Sequence, residues 1–480
     1  MSDRPAGAAS FRDPAGQLFR IGERLIRVIG PAGLDDFSAF SQSAAARTFG
    51  ADGRLVSARV LSADERQALA DVPRLAPALG RAAAVVEHER LWFPSYPYEW
   101  PAEMLHASAL LTLDLAIATL DEHQGLKDAT PFNVLFNGPR PVFVDWLSVE
   151  RRDPHDPTWL PYAQAVRTFV LPLIANREFG VPLDQVFLSR RDGLEPEEVY
   201  RMAGGVRRLK RSLFAHATMP TWLAGRAKEG DTAAWTRKTE ADPDKARYIL
   251  RSVLNGLRRT IVRLEPPQAA SRWTGYMAEK SHYSSADFER KEAFVAQALA
   301  EVTPARVLDV GCNTGHFSAM AARAGARVVA LDGDPAVTGQ VWRRAIEERL
   351  DIQPLVVNVA RPTPATGWRN EECPSFLDRA SGAFDCVLML AVLHHVLVTE
   401  RVPLDDVLQL AADLTRDAAV IEFVAPEDPM FKRIARGRDH LHTGLSREAF
   451  EAACRPYFRI ERSERAEGAT RVLYLLRKTA

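Results

Sequence analysis

The rhythm of apolar and polar positions changes once along the chain, near residue 265. Before that point, period-two alternation over 17–29, broken at Gly22 and Glu23, predicts two short strands around a turn. Ser62 followed by Glu65 has capping-box spacing and predicts a helix start. Residues 94–101 form an aromatic, proline-rich connector, and 102–122 reads as one long, largely buried helix. Short strands are expected at 134–136 and 141–144, joined at Asn137 and Gly138. Helical stretches continue to about 264 and include the basic run from Arg207 to Arg211. After residue 265 the pattern becomes strand and helix in turn. Strands are expected at 306–310, 327–331, 355–359, 384–390, 418–424, 458–462 and 471–476, with helices at 317–324, 335–350, 404–414 and 447–454. Such alternation predicts an α/β fold with a doubly wound, mostly parallel seven-stranded sheet, preceded by an α+β domain. The short stretch 265–271, with two prolines and small residues, is the expected linker. The organisation expected is therefore 1–265, a linker or lid segment over 266–285, and 286–480.

Composition narrows this picture without redirecting it. At ~150 residues per domain, 480 residues and 46% hydrophobic content predict two or three domains with substantial cores. Lys and Arg number 62 and so do Asp and Glu, a balance that argues against a large nucleic-acid footprint. No signal-peptide core and no run of ~18 apolar residues is visible, so no membrane partner is expected. Cys312, Cys373, Cys386 and Cys454 form no C-x-x-C pair, which points to neither zinc nor disulfides and to a reducing, cytoplasmic setting. Nothing in the sequence sets an oligomeric state.

The most informative stretch is Asp309-Val-Gly311-Cys312-Asn313-Thr-Gly315, which follows an apolar strand and opens a helix. Gly311 and Gly315 allow a tight turn and close approach of a ligand. Asp332 ends the next strand about twenty residues on, where an acid accepts hydrogen bonds from ribose hydroxyls. These residues resemble motif one of the class I, Rossmann-like methyltransferases that use S-adenosylmethionine and release S-adenosylhomocysteine. The middle glycine of that motif is replaced by Asn313, the non-glycine type that best tolerates positive φ. The resemblance covers about 273–480. It implies that Asp309 and Gly311 face the methionine end of the cofactor, Asp332 the ribose, and Asn358 the adenine, with Cys312, Asn313 and Gly315 completing the binding turn. It further implies that a segment before the motif folds over the cofactor, with Tyr283 or Lys291 near its carboxylate. No metal ligand set is expected.

Methyl transfer is an in-line displacement that requires alignment, exclusion of water and, for an oxygen acceptor, a group to take a proton. His394 and His395, after the fourth strand, are candidates for that group, and Glu422 and Asp428, around the fifth, could orient an acceptor. Packing roles for the histidines and solvation for the acids are the plainer alternatives. Arg433, Arg436, Arg438, His440 and His442 make a cationic loop that either binds an anionic acceptor or is simply solvated. The segments Leu-Ala-Val-Leu-His-His395 and Val-Thr-Glu-Arg-Val-Pro-Leu404 are similar to bacterial nodulation-type methyltransferases. That resemblance implies a small-molecule or conjugated acceptor, a metabolite or saccharide, methylated at oxygen or nitrogen. An RNA or protein methyltransferase and a non-catalytic cofactor-binding module are the alternatives. The first rests on the run from Arg207 to Arg211, and the Asn-Pro-Pro-Tyr signature of base methylation is missing after the fourth strand.

The front half holds a second constellation. Asp128, Asn133 and Asp145 have the D-x-x-x-x-N and following-Asp spacing of kinase-like phosphotransferases, with a strand pair between them. In that family such residues orient a hydroxyl and hold magnesium. Lys127 departs from the usual pattern, and no glycine-rich phosphate loop is visible. The expectation is a degenerate or substrate-presenting domain, with Asp128 and Asn133 as local turn residues the alternative.

Overall fold

The computed structural model describes residues 13–224, 239–268, 285–465 and 469–479. The chain divides into two compact units, Met1–Pro267 with Ala365–Cys373, and Gln268–Pro364 with Pro374–Ala480.

In the first unit, strands β1 (Gly16–Ile21), β2 (Arg24–Ile29), β3 (Ala58–Val60) and β4 (Ala84–His88) form an antiparallel sheet in the order β1-β2-β4-β3. Ile21 pairs with Arg24, so only Gly22 and Glu23 make the hairpin turn, and Gly22 supplies its left-handed φ of 58°. The helix Ala102–Ala118 is apolar on nearly every side, and a 3₁₀ turn, Thr119–Glu122, extends it. By length and composition the stretch could cross a membrane, unlike the reading above, yet most of it is buried in the protein. The amphipathic helix Pro243–Arg263 lays Ala246, Leu250, Leu254, Leu257 and Ile261 inward. Its outer edge pairs with the long helix through Arg258 and Asp114 at 2.6 Å. Four short strands follow the long helix: β5 (Gln124–Leu126), β6 (Val134–Asn137), β7 (Arg140–Phe143) and β8 (Val149–Arg151), pairing β5 with β8 and β6 with β7.

The basic run is not a continuous helix. Gly205–Leu209 is a 3₁₀ turn, broken at Lys210 before Arg211–Leu213. Arg208 stacks on Tyr200 at 3.9 Å, and Lys210 pairs with Glu178. Two of its charges are thus engaged locally rather than presented to a polyanion.

In the second unit, β9 (Arg306–Val310), β10 (Arg327–Asp332), β11 (Ile352–Val356), β12 (Phe384–Met389), β13 (Thr415–Val424), β14 (Phe458–Glu464) and β15 (Arg471–Lys478) make one sheet. Its order is β11-β10-β9-β12-β13-β15-β14. The first five strands are parallel, and β15 runs antiparallel to both β13 and β14. Parallel strands need both faces covered. Accordingly Val307, Val328, Leu388 and Val420 pack with Phe294, Val295 and Leu299 in one apolar cluster. β11 begins three residues before the expected 355 because Pro354 lies within it, opposite Ala330. A proline is tolerated there because β11 is the edge strand. All four cysteines are free and buried.

Candidate active site

Every feature of the first site sits at the carboxyl ends of the parallel strands, where open α/β sheets bind ligands. β9 ends at Val310 and runs into three positive-φ residues, Gly311 (70°), Asn313 (48°) and Gly315 (74°), before the helix His316–Arg323. A Cβ at Gly311 would lie 2.9 Å from Val392 Cγ2, and one at Gly315 would lie 2.8 Å from Val341 Cγ2. Both glycines are therefore required by backbone angle and by space. Asn313 holds the left-handed angle in place of glycine. The Cys312 amide donates to Leu331 O at 2.8 Å, and the Asn313 amide to Asp332 Oδ2 at 3.0 Å. Asp332 Oδ1 accepts the Asp334 amide, also at 3.0 Å. Asp332 thus clamps the turn to its own strand end, a role the spacing alone did not show.

The turn is a desolvated nest of acceptors. Asp309 is 2% exposed, and Ser318 Oγ donates to its Oδ2 at 2.5 Å. Burial pushes its carboxyl up to about 6, with Ser318 opposing and Asp332 adding to the rise. Burial also raises Asp332, against the backbone donors of Asp334 and Asn313. The Cys312 thiol is raised by burial and by the two aspartates, which makes it a packing group rather than a nucleophile. Asn313 Oδ1 is buried with no hydrogen-bond partner among the described residues. An unsatisfied buried acceptor costs about 1–3 kcal/mol. Two desolvated carboxyls and an orphan carbonyl suit a ligand rich in donors and positive charge. S-adenosylmethionine, with its ribose hydroxyls, ammonium and sulfonium, has that character. Asp309, Asn313 and Asp332 are the residues that would hold it, and when bound it supplies an electrophilic methyl group.

Asn358 lies just past β11, and both ends of its amide are engaged. Oδ1 accepts the Ala360 amide at 2.9 Å, and Nδ2 donates to Glu400 Oε1 at 3.1 Å. Tyr283 and most of the expected lid segment lie outside the described residues. Lys291, on the helix Ser285–Val302, is buried with Nζ 2.5 Å from Glu422 Oε2.

On the acceptor side, β12 runs through Ala391, at a positive φ of 56°, into the short helix Leu393–His395. Val392, the side chain that a Cβ at Gly311 would strike, brings this segment against the cofactor turn. The His394 ring is 2% exposed and lies 4.4 Å from the His395 ring. Neither of its nitrogens has a hydrogen-bond partner among the described residues. Burial, then His395 and Arg471, lower its pKa to about 3, so it is a neutral hydrogen-bonding group rather than a cation.

Glu422 and Asp428 are not solvated loop acids. Glu422 is 2% exposed, between Lys291 and Arg471 Nη1 at 3.6 Å. Asp428 caps the helix Pro429–Ala435 through the Met430 amide at 2.8 Å. It also accepts Thr470 Oγ1 at 2.8 Å and a two-pronged contact from Arg471, Nε at 2.9 Å and Nη2 at 3.2 Å. Burial raises its carboxyl, but Arg471, Thr470 and the Met430 amide together hold it below the ordinary range. Arg471 went unnoticed in the sequence because it opens an apolar strand and belongs to no motif. Arg433, Arg436, Arg438 and His440 are exposed, while the His442 ring packs edge-on against Phe431 at 5.4 Å.

In the first unit, Asp128, Asn133 and Asp145 lie on the segment from β5 to β8. Asp145 Oδ1 is 3.1 Å from Arg27 Nη1, and Asn133 Nδ2 donates to Ser148 Oγ at 3.2 Å. Among the described residues no group of three or more His, Cys, Asp or Glu side chains is arranged to hold a metal ion.

Residues 283–461 match a family model described as a methyltransferase domain. The nodulation protein NoeA of Rhizobium meliloti (strain 1021) is 30% identical over 98% of this chain and 96% of its own length. Among solved structures, WbdD is 20% identical over 39% of each chain, with a TM-score of 0.30. The magnesium protoporphyrin IX methyltransferase ChlM of Synechocystis PCC 6803, solved with bound SAH, is 18% identical over 40% of this chain and 82% of its own, with a TM-score of 0.29. A relative matched end to end and a methyltransferase match spanning the acceptor-lined turn lead to one conclusion: the chain belongs to the NoeA family and is a class I S-adenosylmethionine-dependent methyltransferase.

Proposed function

We propose that the acceptor is a small molecule or its conjugate, a metabolite or saccharide, methylated at oxygen or nitrogen. The observation that carries this reading is His394. Its imidazole is buried, neutral and without a hydrogen-bond partner among the described residues, and it follows closely on the segment that touches the cofactor turn. A neutral imidazole has one donor and one acceptor nitrogen. It suits an acceptor hydroxyl or amine that must be oriented with its lone pair toward the methyl group. A ring with so low a pKa is a poor store for a proton, so the role of His394 is to orient the acceptor. Glu422 serves this site indirectly, by neutralising Lys291 and Arg471. A role in nodulation, which the relative's name carries, comes to this chain as part of the same proposal. The test is transfer of labelled methyl from S-adenosylmethionine to a panel of oligosaccharides and small amines or alcohols. His394→Asn is expected to lower turnover on the responsive acceptor by roughly 10²-fold, the cost of a misoriented acceptor, while leaving S-adenosylhomocysteine affinity close to wild type. Label incorporated only into bulk RNA or protein would overturn the acceptor class.

A further inference from the structure

The front constellation takes no part in methyl transfer as derived above, and its surroundings say what it is. A magnesium-nucleotide site needs carboxylate oxygens open to a hard cation and a row of backbone N–H groups for the phosphates. Among the described residues of the first unit, two of the three candidate side chains, Asp145 and Asn133, are already engaged. The guanidinium paired with Asp145 belongs to Arg27, whose side chain is only 4% exposed. Arg27 Nε donates to His88 Nε2 at 3.2 Å, and His88 Nδ1 faces Ser57 O at 3.1 Å. This places the ring proton on Nδ1. Burial, then the Arg27 charge, keeps the ring neutral by lowering its pKa to about 4. Trp146, next to Asp145, donates Nε1 to Val56 O at 2.9 Å and packs against Phe37 and Phe40, so the aspartate's backbone is held as well. The Asn133 amide faces Ser148. Among the described residues, the β1–β2 hairpin turns in two residues, too few to wrap a row of phosphates.

We propose that Arg27 is a built-in counter-cation that does for Asp145 and its neighbour Asp128 what a divalent metal does in an active phosphotransferase. The unit is therefore complete without metal or nucleotide and carries no phosphoryl transfer. A guanidinium stays charged at every accessible pH. An incoming divalent ion would meet a like charge that its own burial prevents from moving aside. The carboxyl of Asp128, raised by burial and then by Asp145, shows how closely the two acids sense each other. Removing the guanidinium would leave that pair open to a metal.

The experiment is thermal unfolding of the full chain with MgCl₂, MgCl₂ plus ADP, or EDTA, at matched ionic strength. Wild type is expected to move by less than about 1 °C in each, and Arg27→Ala to gain roughly 3 °C or more with MgCl₂. Arg27→Lys, which keeps the charge, is expected to stay insensitive. A clear Mg-ADP shift in wild type, or measurable transfer of phosphate from ATP, would overturn the proposal, as would a metal response from Arg27→Lys. If Arg27→Ala does not fold, calorimetric titration of MnCl₂ into wild type decides by itself. An absence of binding heat supports the inference and a saturable site in the micromolar range refutes it.

Discussion

Asp309 keeps a carboxyl in a place with almost no water, and the consequence can be read in pH. Its folded value is about 6 against an ordinary 3.8, so the native state holds that proton more tightly than the unfolded chain does. The apoprotein should therefore lose stability as pH rises from about 4 through 6. A displacement of about two pH units corresponds to roughly 3 kcal/mol. His394 works in the opposite sense. With a folded value near 3 against 6.5, it makes the protein less stable as pH falls through that window. Urea midpoints from pH 4 to 7, without cofactor, separate the two. Asp309→Asn is expected to be more stable relative to wild type at pH 7 than at pH 4. A difference that does not change with pH would show that Asp309 is not desolvated as described. The same residue scale explains why the cofactor turn was legible beforehand. Gly311, Asn313 and Gly315 announce positive φ by their types, and the backbone adopts it at all three. The clamp by Asp332 was not legible, because it depends on where two backbone amides point.

At the scale of elements, apolar runs made the seven strands visible, and the errors have local causes. The third strand was expected from 355 but starts at Ile352, with Pro354 inside this edge strand. The fifth strand was expected from 418, yet β13 starts at Thr415, which is fully buried with its hydroxyl on Ala418 O at 2.8 Å. The contact that locks the acceptor side could not have been read from either element alone. Arg471, at the start of β15, meets Asp428 from beyond the end of β13, and these residues are 43 positions apart. Removing one member of a buried ionic group leaves its partners uncompensated, at a cost of about 3–5 kcal/mol. Arg471→Gln is expected to lose that much by urea unfolding. Arg471→Lys should recover only part of it, because a single ammonium cannot reproduce the two-pronged contact with Asp428. Full recovery by lysine would mean that charge alone matters there.

At the scale of the molecule, the chain joins a methyltransferase unit to a unit with the residue pattern of a phosphotransferase and an arginine against its key aspartate. The first identity was readable because a continuous segment of sequence carries it. In the front unit only part of the constellation could be read. Asp128, Asn133 and Asp145 share one short stretch, but Arg27, which pairs with Asp145, lies more than a hundred positions earlier on β2. Sequence spacing brings out the first kind of relation and hides the second.

The orphan oxygen of Asn313, flanked by two crowded acids, makes the empty enzyme its own weakest form. Anything that cleaves transiently opened chains should then act as a gauge of methyl-donor supply, clearing vacant copies and sparing loaded ones. Limited proteolysis should slow in step with the fraction of protein saturated by S-adenosylhomocysteine. The first protected cuts should fall around the strand end at Val310 rather than across the front unit. Equal cleavage with and without the ligand would disconnect the enzyme's lifetime from its occupancy.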